Sequence, residues 1–240
     1  MKTILSSSTP YEISSSQLVE LGAKYSQDST GRVWHYAQAG GSTLARGKFN
    51  VAATQNAQRV NLSFSVAPAV GDYEVSVIIG TGAATANDYK DGWLVVQDGT
   101  GQGRAYPIEG HDAITASTAG KFKLKEAIDT AGALAETNVD LIKNMYNDIV
   151  VSVADQLDPA VGVNNVSITT LYYGWVQTYG ACAVLMDEIL AVGSAVTIGS
   201  SVVGAVEAYD YNSGETMVGM QGPQAGVDTE YQLVYLRLEN

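Results

Sequence analysis

From residue 31 onward, apolar residues in this chain mostly alternate with small or polar ones, in short runs. Residues 32–36 and 60–66 show the pattern most clearly. A period of two places apolar side chains on one face of a half-buried strand. We expect further strands at 73–79, 93–97, 103–108, 121–124, 149–153, 166–169, 172–177, 181–185, 195–198, 202–206, 217–220 and 232–238. The alternation therefore predicts an all-β chain.

Turn-forming residues separate these runs, as in Gly71-Asp72 and Asp91-Gly92. Many short strands at near-regular spacing predict an antiparallel sandwich or barrel rather than a parallel sheet with crossover helices. Helical spacing competes only at residues 125–147. Gly132 lies inside that stretch and costs about 1 kcal/mol relative to alanine in a helix. We expect at most one short helix there, or a loop with a few turns.

The chain divides by composition into an N-terminal arm and two β regions. Its 240 residues suffice for one large β domain or two small ones. Residues 1–30 are rich in serine and threonine and have few apolar positions, which predicts an extended arm. Such an arm either orders against a partner or frays as a terminus. We place β domains at 31–157 and 158–240.

Charge and hydropathy exclude several kinds of partner. The formal net charge is -12, which would repel a phosphate backbone, so we expect no nucleic acid partner. No stretch approaches the roughly 20 apolar residues of a membrane helix, so we expect no membrane contact. Cys182 is the single cysteine, and the first residues contain no apolar run typical of a signal peptide. These features predict synthesis in a reducing cytoplasm.

The low content of charged residues leaves two interpretations open. Charged residues make up 16% of the chain, against about 25% in typical soluble domains. One interpretation is a β protein whose surface is polar through serine, threonine, asparagine and glutamine. The other is extensive burial in an assembly.

Residues that could carry out catalysis are sparse. The chain has two histidines, His35 and His111, and neither lies in a zinc-binding or hydrolase motif. The glycine-rich run 98–104 lacks the lysine and the following helix of a phosphate-binding loop, so it predicts a hairpin turn. We expect no enzymatic activity, no cofactor and no metal.

Aromatic residues provide the candidate functional positions. The densest cluster is Tyr172-Tyr173-Gly174-Trp175. Aromatic rings of this kind serve as a strand core, as a subunit interface or as a platform for sugars. The candidate interface residues are Trp34, Tyr36, Trp93, Tyr172, Tyr173 and Trp175.

The spacing of glycines and aromatic residues also carries a resemblance that spans most of residues 20–240. The stretches that carry it are 21–22, 31–40, 44–48, 89–96, 101–103, 139–141 with Asn144, 173–177 with Gly180, 192–193 and 204. Together they resemble a family of tailed-bacteriophage structural proteins of the head-decoration, or cement, type. The motifs include no catalytic signature.

The resemblance implies a β-rich virion protein, often a homotrimer, on the outside of the mature capsid. Its expected partner is the major capsid protein, whose neighbouring subunits it would bridge to stabilise the shell. The alternatives are another virion component, such as a tail, head-fibre or major capsid protein, and a carbohydrate-binding module that uses residues 172–175.

Overall fold

The computed structural model describes residues 9–27, 29–134, 136–153, 158–212 and 214–239. Within these residues, strands dominate and the one helical element is a 3-10 turn at Ala57–Arg59. Every ladder between the named strands is antiparallel. The all-β antiparallel prediction is confirmed.

The strands are β1 (Lys24–Gln27), β2 (Arg32–Gln38), β3 (Phe49–Val51), β4 (Leu62–Ser63), β5 (Glu74–Ile78), β6 (Trp93–Asp98), β7 (Ala105–His111), β8 (Ala119–Leu124), β9 (Asn138–Ile142), β10 (Val150–Val151), β11 (Ala160–Asn164), β12 (Tyr173–Leu185), β13 (Ala195–Ile198), β14 (Val206–Ala208), β15 (Gly219–Gln221) and β16 (Tyr231–Arg237).

The chain forms two compact units, and one of them is discontinuous in sequence. Unit 1 comprises Met1–Ala53 and Met145–Asn240, and unit 2 is the insertion Thr54–Asn144. The sequence placed a boundary near residue 157, which lies outside the described residues. The boundaries between the two units instead lie at residues 53/54 and 144/145. The segments on either side of the insertion belong to one unit because β3, before the insertion, pairs with β10 and β11 after it.

Unit 2 is a nearly closed six-stranded barrel. Its strands follow the order β4-β9-β6-β7-β8-β5. A bridge between Phe64 and Val77 then joins the two ends, supported by a 2.8 Å hydrogen bond from the Ser65 amide to the Ser76 carbonyl. Along each strand, buried and less buried residues alternate. The barrel interior is therefore filled by one face of every strand.

Unit 1 is a ten-stranded sheet that curls into a half-barrel. The order is β10-β3-β11-β12-β16-β15-β13-β14, and β2 joins β12 with β1 beyond it. Two of its buried clusters lie around Cys182 and Val234 and around Ala37 and Val176. The thirteen-residue strand β12 connects them.

The N-terminal segment packs against its own chain. Residues 1–8 lie outside the described residues. Farther along, Ser14 forms a bridge with Tyr173, the Leu18 amide donates to Tyr36 Oη at 3.2 Å, and β1 pairs with β2. Residues 9–27 thus run along unit 1, whereas the sequence predicted an extended arm.

The strands agree with the predicted hairpin at 98–104 and differ from the sequence-based expectation within β12. The hairpin at 98–104 is confirmed, since β6 and β7 pair on either side of it. Residues 125–134 form bends and a turn, in line with the loop that is one of the two expectations for 125–147, and β9 follows because Val139 and Leu141 face the barrel interior. The two strands expected at 172–177 and 181–185 are one strand, β12, with Gly180 inside it.

We predict that two glycines of the β6–β7 hairpin respond differently to alanine. Gly99 and Gly103 both have positive φ, at 77° and 86°, and the left-handed region costs alanine about 1 kcal/mol. A Cβ at Gly99 would clash with the carbonyl oxygen of Glu136, but a Cβ at Gly103 meets nothing within 4 Å. Urea unfolding should show Gly99→Ala to be at least about 2 kcal/mol less stable than Gly103→Ala. Equal losses would contradict the close approach at Gly99.

Candidate functional site

Three of the six candidate interface residues lie in a buried aromatic cluster of unit 1. Trp34, Tyr36 and Trp175 are 0%, 2% and 1% exposed. The Tyr36 ring packs edge-on against Trp175, with ring centroids 5.1 Å apart, and Trp34 Nε1 donates to Asn165 Oδ1 at 2.6 Å. These side chains do not reach the surface, which corrects the interface prediction at the three positions.

The residues that cover this aromatic cluster come largely from the N-terminal segment. Leu21 is part of the cluster, and Val19 packs against it. The Tyr25 ring lies 5.7 Å from Trp34 and 5.8 Å from Trp175. Burial of aromatic rings contributes strongly to core stability. The N-terminal segment therefore serves as a cover for the aromatic face of β2 and β12.

Tyr172 and Tyr173 lie at the start of β12, at the margin of the cluster. Tyr172 is 36% exposed, and Tyr173 is partly buried. The Tyr173 ring stacks on Tyr36 with centroids 5.9 Å apart and planes 9° from parallel. Of the 172–175 motif, only the two tyrosines offer surface to a partner.

Trp93 is the one exposed tryptophan of the three that the structure describes, at 45%. It is the first residue of β6, on the outer wall of the barrel. Its cross-strand neighbours are Pro107 on β7 and Ile142 on β9, and Ile142 is also exposed. Directly opposed side chains in a sheet lie about 5 Å apart. We call this apolar line, in which Trp93 and Ile142 are exposed and Pro107 is partly buried, the tryptophan row.

The turn before β6 holds the tryptophan row in place. Asp91 has φ 60°, its amide donates to the Ile108 carbonyl at 2.9 Å, and its carboxylate pairs with Lys125 Nζ at 2.8 Å. A Cβ on Gly92 would clash with the carbonyl oxygen of Ile142. The strand carrying Trp93 is thus tied to β7, β9 and the end of β8, and it presents the indole from a rigid support.

His35 takes part in a polar cluster that joins the two ends of unit 1. Its Nε2 contacts Glu239, its Nδ1 lies 2.8 Å from the Gly22 carbonyl, and its ring stacks on Tyr146. Burial alone would raise the pKa of Glu239, but hydrogen bonds from Lys24, His35 and Thr178 lower that pKa below its usual value. The cluster fastens the C-terminal residues to β1 and β2.

His111 is held inside unit 2 as a neutral side chain. It is 6% exposed, its Nε2 accepts from the Tyr89 amide at 3.0 Å, and its Nδ1 lies 2.7 Å from the Asp112 carbonyl. This pattern places the proton on Nδ1. Burial lowers the pKa of His111. The imidazole is committed to backbone contacts.

Arg59 is a buried cation that anchors a loop of unit 2. It is 2% exposed, and its guanidinium donates to the carbonyls of Thr81, Gly82 and Ala83 while lying 5.9 Å from the Tyr89 ring centroid. Its contacts are structural ones to main-chain oxygens.

Other reactive groups are also enclosed. Burial raises the pKa of the Cys182 thiol to about 12, which keeps it protonated and unreactive at neutral pH. Over the described ranges, no group of three or more His, Cys, Asp or Glu side chains is arranged to hold a metal ion. Nor is any helix in that part of the chain long and apolar enough to cross a membrane.

Comparison with known proteins gives no match among family models, curated proteins or solved structures.

We predict that two tryptophans differ in how much they stabilise the fold. Trp175→Ala empties a site at the centre of the aromatic cluster and should lower the free energy of unfolding by about 3–5 kcal/mol. Trp93→Ala removes a half-exposed ring and should cost less than about 1.5 kcal/mol. Urea unfolding followed by circular dichroism measures both. A large loss for Trp93→Ala would mean that the ring supports the barrel.

We predict that His111 makes stability depend on pH. Its folded pKa lies below the unfolded value of about 6.5, so the unfolded state binds more protons between those two values. The stabilisation is complete above about pH 6.5 and is lost as the pH falls toward the folded pKa. His111→Gln should remove this contribution. An NMR titration tests the premise, with His35→Gln used to assign the resonances; a His111 midpoint at or above 6.5 would refute it.

Proposed function

We propose that this chain is a non-enzymatic structural protein of a tailed-phage virion, which binds the outside of the head and bridges neighbouring capsid subunits. The observation that carries the proposal is the tryptophan row, an exposed apolar line on a rigid barrel wall. The resemblance in glycine and aromatic spacing is the reason for proposing a phage capsid as the binding partner.

The tryptophan row has the character of a protein-binding hot spot. Tryptophan is the residue type most enriched among such positions, and a rigid strand presents it at low entropic cost. Covering the exposed part of Trp93, roughly 100 Å², would contribute about 2–3 kcal/mol per contact. Because many copies bind one shell, the small free energy of each contact is repeated over the whole shell. A protein that binds only the assembled shell stabilises the assembled state by mass action.

The polarity of the chain agrees with an outer position. Its charge of -12 would be repelled by packaged nucleic acid. The low content of charged residues fits a protein that buries part of its surface in an assembly.

A carbohydrate-binding role at residues 172–175 receives less support. The ring that would form the platform, Trp175, is 1% exposed and packs against Tyr36. A sugar would have to displace the N-terminal segment in order to reach it.

We predict that purified particles of the source virus contain this chain at a fixed submultiple of the major capsid protein, measured by quantitative mass spectrometry. A handful of copies per particle would instead assign it to the tail or a fibre. Absence from particles would refute the virion role.

The same system tests the tryptophan row. Trp93→Ala should weaken binding to shells lacking this protein by at least about tenfold, as expected for a hot-spot ring. The matched control is Tyr73→Ala, another exposed aromatic of unit 2, at 60%, which should bind normally. Equal binding by both variants would remove the tryptophan row from the contact.

A further inference from the structure

A second exposed apolar surface lies on the sheet of unit 1, on the side of β16 away from the core. Along β16, Val234 and Leu236 point inward, while Tyr231, Leu233 and Tyr235 are 50%, 39% and 44% exposed. The strand pairing extends the surface to both neighbouring strands. We call it the tyrosine face; its members are Tyr179, Ala181, Ala183, Met220, Tyr231, Leu233 and Tyr235.

The relief of the tyrosine face suits a second sheet. Ala181 and Ala183 lie directly opposite Tyr235 and Leu233 in the β12–β16 ladder. Small residues beside large rings leave recesses into which the rings of a facing sheet can pack at about 10 Å separation. The surface is mostly apolar, which suits an apolar sheet face better than a small polar ligand.

The charges around the tyrosine face are arranged so that the face complements itself. Arg237 lies at one end of β16, and Asp228 and Glu230 precede the other end; all three are exposed. Within the described residues, none of the three makes an ion pair with the rest of its chain. A chain of charge -12 repels its own copies elsewhere, so a neutral face with opposite charges at its two ends favours self-association.

We propose that two copies of this chain associate through the tyrosine face, about a two-fold axis that crosses β16 near Leu233. In this arrangement the β16 strands of the two copies lie face to face and run in opposite directions. Tyr235 of one copy then faces Tyr231 of the other, and Arg237 comes close to Asp228 and Glu230 of the second copy. Such an interface is isologous, with the same surface used on both sides.

The area available agrees with a reversible dimer. With a whole tyrosine side chain near 200 Å², the exposed parts of the three tyrosines and Leu233 sum to roughly 300–400 Å², comparable with the largest apolar patches of monomers. A stable interface buries about 800 Å² on each side. The tyrosine face supplies the apolar centre, and the surrounding polar residues supply the rim. The inference uses only residues of unit 1, and it predicts a dimer in place of the homotrimer that the resemblance implies.

Sedimentation velocity of the purified full chain, from about 1 to 200 μM, tests the proposal. We expect a reversible monomer–dimer equilibrium. Leu233→Glu should raise the dissociation constant at least about tenfold by burying a charge at the centre of the interface. The matched control is Ile78→Glu on β5, where Ile78 is 42% exposed in the other unit, and it should dimerise normally. Tyr235→Ala is a milder second variant should Leu233→Glu fail to fold.

Charge-reversal variants distinguish the proposed two-fold dimer from other modes of association. Arg237→Glu should weaken the dimer, and adding Glu230→Arg to that variant should restore part of the lost affinity, because the two symmetry-related pairs of residues 237 and 230 are then reversed while Asp228 keeps its charge. A monomer at every concentration would overturn the proposal. An equal rise of the dissociation constant in Ile78→Glu and Leu233→Glu would also overturn it. A trimer, or no rescue by Glu230→Arg, would overturn the two-fold geometry.

Discussion

The hydrogen-bonding of β12 is the interaction on which unit 1 depends. This strand pairs with β2, β11 and β16, so it joins segments from both sides of the inserted unit. Its register against β2 shifts between Gln177 and Tyr179, which leaves Thr178 as an extra residue. The buried Gln177 amide donates to the carbonyls of Tyr179 and Ala181 at 3.0 and 2.9 Å. A side chain thus satisfies backbone groups at the irregularity, and the strand continues.

Two further buried amides extend this support to the neighbouring strands. Asn50 Nδ2 lies 3.1 Å from the Gly162 carbonyl and 2.8 Å from Asn164 Oδ1. Asn164 Nδ2 in turn reaches the carbonyls of Ala45 and Val166 at 3.0 and 2.7 Å. The register of β11 against β3 shifts between Ala160 and Gly162, so these amides bind beside a point where the ladder is irregular. Buried polar groups here specify register, and the apolar clusters on either side supply most of the stabilisation.

The two proposed contact surfaces follow from the same alternation that fills the interiors. Inside the barrel, Leu94 and Val96 occupy the buried face of β6, which leaves Trp93 outside; on β16, Val234 leaves Tyr235 outside. On β2, by contrast, the face carrying Trp34 is also covered, by residues of the N-terminal segment. An aromatic residue on a strand is therefore a core residue or a contact residue according to what lies over its face. The tyrosine face went unrecognised in the sequence because Tyr231 and Tyr235 are separated by four positions rather than clustered.

The sequence by itself determined the all-β class, the antiparallel pairing, the hairpin at 98–104 and the positions of most strands. These features depend on residues a few positions apart, whose alternation and glycine turns are visible locally. Only the tertiary structure decided that unit 1 is interrupted by unit 2, that 125–147 contains a strand, and that Trp34, Tyr36 and Trp175 are buried. Each of these outcomes depends on hydrogen bonds and packing between segments far apart in the chain, and a local period of two carries no information about which distant strand will pair with it or cover its outer face.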